Sequence, residues 1–181
     1  MKIEEAIVEL NNLIDKSFCK DLIAYIDYKA KNKMSTVVGI NEDIRNVQGY
    51  TLGKNLISDQ VYFKHIQSEI THVYSHYKFK FPQISTSYLT QIDLLKYSPG
   101  GKYEMHTDYF PTQRTLTVIL NLNDEYEGGD FIFYQQNGKE EMKRIKCKTG
   151  TIIFFPSNFL FPHKVEAITK GIRYSVVSWL I

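Results

Sequence analysis

Apolar residues recur at helical spacing over the first third of the chain and then give way to short alternating runs. Ile3, Ala6, Ile7, Leu10, Leu13 and Ile14 fall on one stripe and predict an opening helix. Ser17 has the chemistry of an N-cap for a second helix, with Phe18, Leu22 and Ile26 facing inward. Residues 33–57 are mixed in polarity and punctuated by glycine, which predicts loops with one short strand. A longer helix is predicted to start after Ser58, to carry Val61, Ile66, Ile70 and Val73 on its buried face, and to end near Tyr77. It holds His65, His72 and His76. The pair His72/His76 shares a helical face, but no third ligand accompanies it, so these read as surface or half-buried helix histidines.

Beyond Phe81-Pro82 the period shortens. "STSYLTQIDLLKY", "KYEMHTDYF", "RTLTVILNLN", "GGDFIFYQQ", "EEMKRIKCK", "GTIIFFPS", "FPHKVEAI" and "GIRYSVVSWLI" are β-rich runs whose junctions carry Gly or Pro. Runs of this length with no helix between them predict two facing antiparallel sheets. The expected fold class is mainly β with flanking N-terminal helices (α+β). One domain spans 1–181, with 1–80 a mostly helical support region and 81–181 a β core carrying the chemistry.

Length and charge narrow the function classes. A chain of 181 residues can bury a core without disulfides or structural metal. The net charge of +2, from 22 basic and 20 acidic residues, makes no case for a nucleic-acid or membrane-surface binder. No apolar run approaches the ~18 residues that cross a bilayer. The start, "MKIEEAIVELNNLID", is acidic and amphipathic, unlike a signal or transit peptide. Cys19 and Cys147 lie far apart in no ligand-like spacing. A single disulfide stays open, and a reduced, cytoplasmic chain is the expectation. Thirteen Tyr and eleven Phe against one Trp add to the β tilt.

The chemistry starts at "YEMHTDYF". On a strand His106 and Asp108 point to the same side and converge, although an H-x-D pair also arises by chance. His163, in "FLFPHKVEAI", is the other histidine of the β region and should begin a strand near the mouth of the sandwich. Two imidazoles and one carboxylate on one side of an ion leave the opposite side open to reactants, as in the facial triad of non-haem iron oxygenases; Zn, Mn and Co accept the same donors. Arg173, in "GIRYSVVSWL", is a mid-strand cation among apolar neighbours and calls for an anionic partner, for which a planar guanidinium suits a carboxylate. Ser175 and Trp179 share its face.

From about Leu89 to the C-terminus the chain resembles the Fe(II)- and 2-oxoglutarate-dependent oxygenases, in particular the prolyl-4-hydroxylase-like branch. "KYSPGGKYEMHTD", "EGGDFIF", "GTIIFFPS", "PHKV" and "GIRYSVVSW" carry the resemblance by their order and spacing. It implies a double-stranded β-helix (jelly roll) and a metal site of His106, Asp108 and His163. It also implies cofactors Fe(II), 2-oxoglutarate and O2, with ascorbate as a candidate reductant. Arg173 would pair the far carboxylate of 2-oxoglutarate, assisted by Ser175. Tyr97, opening "YSPG", and Tyr103 are candidates for the cosubstrate pocket. Asn121 stands where relatives place a tyrosine that contacts the cosubstrate, and Phe131 stands where some have a polar residue. Each could instead be an ordinary core side chain.

The implied activity is hydroxylation of a peptidyl residue, with proline as the leading target. Many prolyl hydroxylases carry Lys where Arg173 stands, which weakens the claim for proline. A small-molecule or free amino acid hydroxylase is the alternative, and a metal-retaining jelly-roll binding module is the non-enzyme alternative. Nucleic-acid dealkylases of this chemistry carry a second Arg at the position of Trp179. A peptide or protein partner is expected, covered by 33–57 and "YFPTQR", with no nucleic acid, no membrane, and a monomeric or homodimeric state.

Overall fold

The opening stripe does not become a helix. In the computed structural model, which describes residues 2–36, 39–86, 88–109 and 114–181, Ile3–Ala6 form a 3-10 turn and Val8–Leu10 form strand β1. A helix that short is marginal in water. β1 instead pairs with the strand at Ile152–Pro156, placing Val8 opposite Phe154, and Ala6 and Ile7 are buried beside it. Helix α1 (Lys16–Lys29) follows with the predicted face of Phe18, Leu22 and Ile26 inward. Its cap is Asp15 rather than Ser17: the Asp15 carboxylate accepts from the amides of Ser17 at 2.6 Å and Phe18 at 3.3 Å.

Three short strands, β2 (Asn32–Lys33), β3 (Arg45–Asn46) and β4 (Gln48–Thr51), lie where loops and a single strand were expected. The region 1–80 therefore supplies strands as well as helical support. Helix α2 (Ile57–Lys80) buries Ile66, Ile70, Val73 and Tyr77, while Val61 is exposed. His65, His72 and His76 are exposed along it.

The rest is strand: β5 (Leu89–Tyr97), β6 (Lys102–His106), β7 (Leu116–Asn121), β8 (Tyr126–Gly128), β9 (Phe131–Tyr134), β10 (Glu141–Ile145), β11 (Ile152–Pro156), β12 (His163–Val165), β13 (Ile168–Gly171) and β14 (Arg173–Leu180). A seven-stranded sheet runs β1-β11-β7-β14-β5-β4-β2 and a five-stranded sheet β10-β9-β12-β6-β3, with β13-β8 as a separate ribbon. Every described strand pair is antiparallel. This is the jelly roll.

Alternation along the strands of the large sheet builds two cores. Ile92, Leu94, Val118, Leu120 and Val176 pack outward under α1 and α2. Leu95, Tyr97, Ile119 and Val177 pack inward against Phe131, Phe133 and Val165 of the small sheet. That double covering explains why every residue of β14 is buried. No helix among the described residues is long and apolar enough to cross a membrane.

Candidate active site

The two histidines of the β region meet because β6 and β12 are neighbours. The end of one and the start of the other are in register, His163 directly opposite His106. Asp108 follows β6 two residues on and folds back between them. One donor atom from each of the three lies within 4.8 Å of the others. Asp108 Oδ1 is 3.7 Å from His106 Nε2, and Asp108 Oδ2 is 3.8 Å from His163 Nε2.

Backbone carbonyls settle the tautomers. His106 Nδ1 is 2.8 Å from the Glu104 carbonyl and His163 Nδ1 is 2.9 Å from that of Phe161. A carbonyl can only accept, so each Nδ1 donates and each Nε2 faces the shared point. Burial, then the facing His163, pushes His106 down to about 3, so its ring is neutral at ordinary pH. Burial acts to raise Asp108, but the two imidazoles and a hydrogen bond from Thr117 outweigh it and hold the carboxyl below its ordinary range. Two imidazole nitrogens and a carboxylate form a donor set that fits a divalent ion such as iron.

Packing holds these donors in place. Thr117 donates to Asp108 Oδ2 at 2.7 Å and shares a 2.8 Å hydrogen bond with Ser157. His163 sits among Phe131, Phe133 and Phe155, with ring centroids 4.9–5.8 Å away. His106 stacks 3.6 Å from Tyr103, which lies under the Arg45 guanidinium at 4.7 Å.

Arg173 opens β14 on the inner face of the large sheet with 1% of its surface exposed. Nη1 donates to Ser175 Oγ at 3.1 Å, and Nε and Nη2 have no hydrogen-bond partner among the described residues. The guanidinium lies 5.3 Å from the Tyr97 ring. A buried cation with unpartnered N–H groups has the chemistry to take an anion, and its planar fork fits a carboxylate such as the far end of 2-oxoglutarate. Gly129, with φ of 69°, makes the room. A Cβ there would stand 2.3 Å from Ile168 Cδ1 and 3.3 Å from Arg173 Cδ.

The other residues expected at the site separate. Tyr103 and Tyr97 line a cleft of about 310 Å³ that also includes His106, Asp108 and His163. Asn121 is fully buried and, like Arg173 and Ser175, does not line it. The Asn121 amide donates to the carbonyls of Asn123 and Lys148, and its oxygen accepts from Tyr126 Oη at 3.4 Å. Tyr126, absent from the sequence reading, thus brings a phenol to the Arg173 end of the site from β8. Met34, Thr36, Arg45 and Thr51 bring the 33–57 segment to the cleft wall. Of "YFPTQR", Tyr109 is exposed and Arg114 lines the cleft 3.6 Å over the Trp179 ring; residues 110–113 lie outside the described residues. Asp93 also lines the cleft and was missed. Its signal is the one that exposed Arg173, a charge inside an apolar strand, "QIDLLKY".

Residues 92–181 match the model of the 2OG-Fe(II) oxygenase superfamily. The chain is 43% identical over 68 residues to human Prolyl 3-hydroxylase 2, covering 38% of this chain and 10% of that protein. It is 30% identical over 93 residues to a PKHD-type hydroxylase of Rippkaea orientalis, covering 47% of this chain and 40% of the relative. The chain thus spans less than half the length of these relatives. In fold it is similar to a prolyl hydroxylase of Trichoplax adhaerens in complex with a hypoxia inducible factor oxygen degradation domain peptide fragment. The TM-score is 0.81 at 17% identity, covering 97% of this chain and 83% of that one.

Proposed function

Residues 92–181 place this chain in the 2OG-Fe(II) oxygenase superfamily, and from that premise we propose that it is a 2-oxoglutarate-dependent dioxygenase hydroxylating a peptidyl residue, proline first among the candidates. The observation that carries the reading is the pairing of an N2O donor set with a buried arginine whose Nε and Nη2 have no partner. His106, Asp108 and His163 would hold iron, and Arg173 with Ser175 would hold the far carboxylate of the cosubstrate. When bound, iron and 2-oxoglutarate supply oxidative hydroxylation: one oxygen atom of O2 goes into succinate as CO2 leaves, the other into a substrate C–H bond.

The chain's own part is to bind, orient and keep water out. Leu95, Ile119, Phe131, Val165 and Val177 wall the inner cleft with apolar groups. Thr117 holds Asp108, and the Glu104 and Phe161 carbonyls hold the two rings, so each donor is kept facing the shared point by a fixed partner. A peptide as substrate is supported by the prolyl hydroxylases among the relatives and by the peptide in the Trichoplax complex. A reducing, cytoplasmic setting belongs to the same proposal, supported by the free, buried thiols of Cys19 and Cys147.

Anaerobic titration with Fe(II) and 2-oxoglutarate tests the reading. We expect a visible charge-transfer band, then succinate release in air and a peptide heavier by one oxygen atom. Succinate with no peptide oxidised moves the assignment to a small-molecule hydroxylase. No band and no succinate leaves a binding module.

A further inference from the structure

The oxygenase reading accounts for the metal donors and Arg173 and leaves one buried charge in the cleft unused. Asp93 sits mid-strand on β5 with 2% of its surface exposed, sharing the inner face with Gln91, Leu95 and Tyr97. Its carboxylate accepts two hydrogen bonds, both from neutral groups and both at Oδ1: Thr51 Oγ1 at 2.6 Å and Gln91 Nε2 at 2.8 Å. Among the described residues Oδ2 has no hydrogen-bond donor and is left as the acceptor for an incoming N–H.

Strand register tells which part of the cleft Asp93 sees. Tyr97 lies opposite Arg173, and Asp93 lies opposite Val177. The step from 93 to 97 puts Asp93 roughly 13 Å along the sheet from the guanidinium level. A five-carbon dicarboxylate anchored at Arg173 is shorter than that and carries the charge that Asp93 repels. Asp93 therefore faces the space left for substrate. The cations of this space sit on aromatic faces, Arg114 over Trp179 and Arg45 over Tyr103.

We infer that Asp93 recognises a cationic group on the substrate, the ammonium or guanidinium of a basic residue beside the one hydroxylated. This rests on the peptidyl-hydroxylase reading above. The carboxylate is hydrogen-bonded by neutral partners and feels Arg114 only at long range, so a substrate cation can supply a direct counter-charge at the moment of binding. Substrate choice then follows from charge as well as shape. The competing account makes Asp93 a long-range counter-ion for Arg114, and the two differ in what a substitution does.

The test uses peptide pairs that differ only by lysine or norleucine at each position flanking the target residue. They are offered in competition to the full chain loaded with Fe(II) and 2-oxoglutarate, with products read by mass spectrometry. The same pairs are titrated anaerobically, with binding read by fluorescence anisotropy. At one position the lysine member should bind and react about tenfold better or more, through KM rather than kcat. That ratio should fall toward one in Asp93→Asn and persist in Asp93→Glu. A wild-type protein that treats lysine and norleucine alike overturns the inference without any variant. So does a preference that survives Asp93→Asn, or an Asp93→Asn protein that weakens both members equally, as loss of a counter-ion for Arg114 would. Failure of the peptidyl reading looks different. Free lysine, not a lysine peptide, would bind and stimulate succinate release in a manner lost in Asp93→Asn, which keeps the cation role and moves it to a small molecule.

Discussion

At the scale of single residues, the Thr117 hydroxyl sets the rotation of the Asp108 carboxylate between two imidazoles while answering to Ser157 behind it. Thr117→Val keeps the shape and removes the donor. Metal affinity, measured by Co(II) titration, should fall roughly tenfold or somewhat more with the fold intact. Arg173 separates charge from geometry. Arg173→Lys keeps a cation but not the fork, and 2-oxoglutarate should bind about tenfold more weakly in anaerobic titration; Arg173→Met should cost about 100-fold, with metal affinity unchanged in both. The cluster of His106, Asp108 and His163 was legible because two histidines and an aspartate in a β-rich half, followed by an arginine among apolar residues, form a recognisable pattern. Thr117 and Tyr126 were not. A hydroxyl in a strand has no pattern of its own, and only the fold brings Tyr126 to Arg173.

At the scale of elements, Asp59 in the first turn of α2 joins three pieces of structure. Its fully buried carboxylate accepts from Tyr25 of α1, from Tyr50 of β4 at 2.7 Å and from the Gly53 amide at 2.9 Å, with Lys29 of α1 at 3.6 Å. Burial works to raise its pKa, and the two phenols, the amide and Lys29 overcome this and hold it low. A depressed folded value means that the stabilisation is present above the ordinary value of 3.8 and is lost as pH falls through the folded value. Asp59→Ala should cost on the order of 3 kcal/mol in urea unfolding at neutral pH, since it leaves several half-buried donors unmatched. Its stability should then change less than the wild type's when pH is lowered past 4 or so. The faces of α1 and α2 were readable because helical period is a local property. The opening stripe from Ile3 to Ile14 misled for the same reason: β1 is decided by the edge of β11, which lies far along the chain. The two-residue strands β2 and β3 are too short to carry a period at all.

At the scale of the whole molecule, the metal donors come from the small-sheet side, while Thr117 and Arg173 stand on the large sheet. Binding an ion to the folded state alone stabilises it by mass action. With free Co(II) at a hundred times its dissociation constant the gain is about 2.7 kcal/mol. In a chain of this size that corresponds to a rise in Tm of roughly 5–10 °C, readable by differential scanning calorimetry and absent in Asp108→Ala. Two opposed sheets were readable from the density of short β runs. The strand order was not, because pairing partners are chosen by contacts that no single run encodes.

The superfamily match begins at residue 92, inside β5, yet the sheets do not respect that border. Both rims of the large sheet, β1 on one side and β4 with β2 on the other, precede it in the chain, as does the β3 rim of the small sheet. A fragment trimmed to the matched residues would carry raw hydrogen-bonding rims on both sheets and bare the aliphatic floor on which the two helices rest. Such a piece is built to clump. Anyone borrowing this matched half for a fusion protein has to carry the first ninety or so residues along with it.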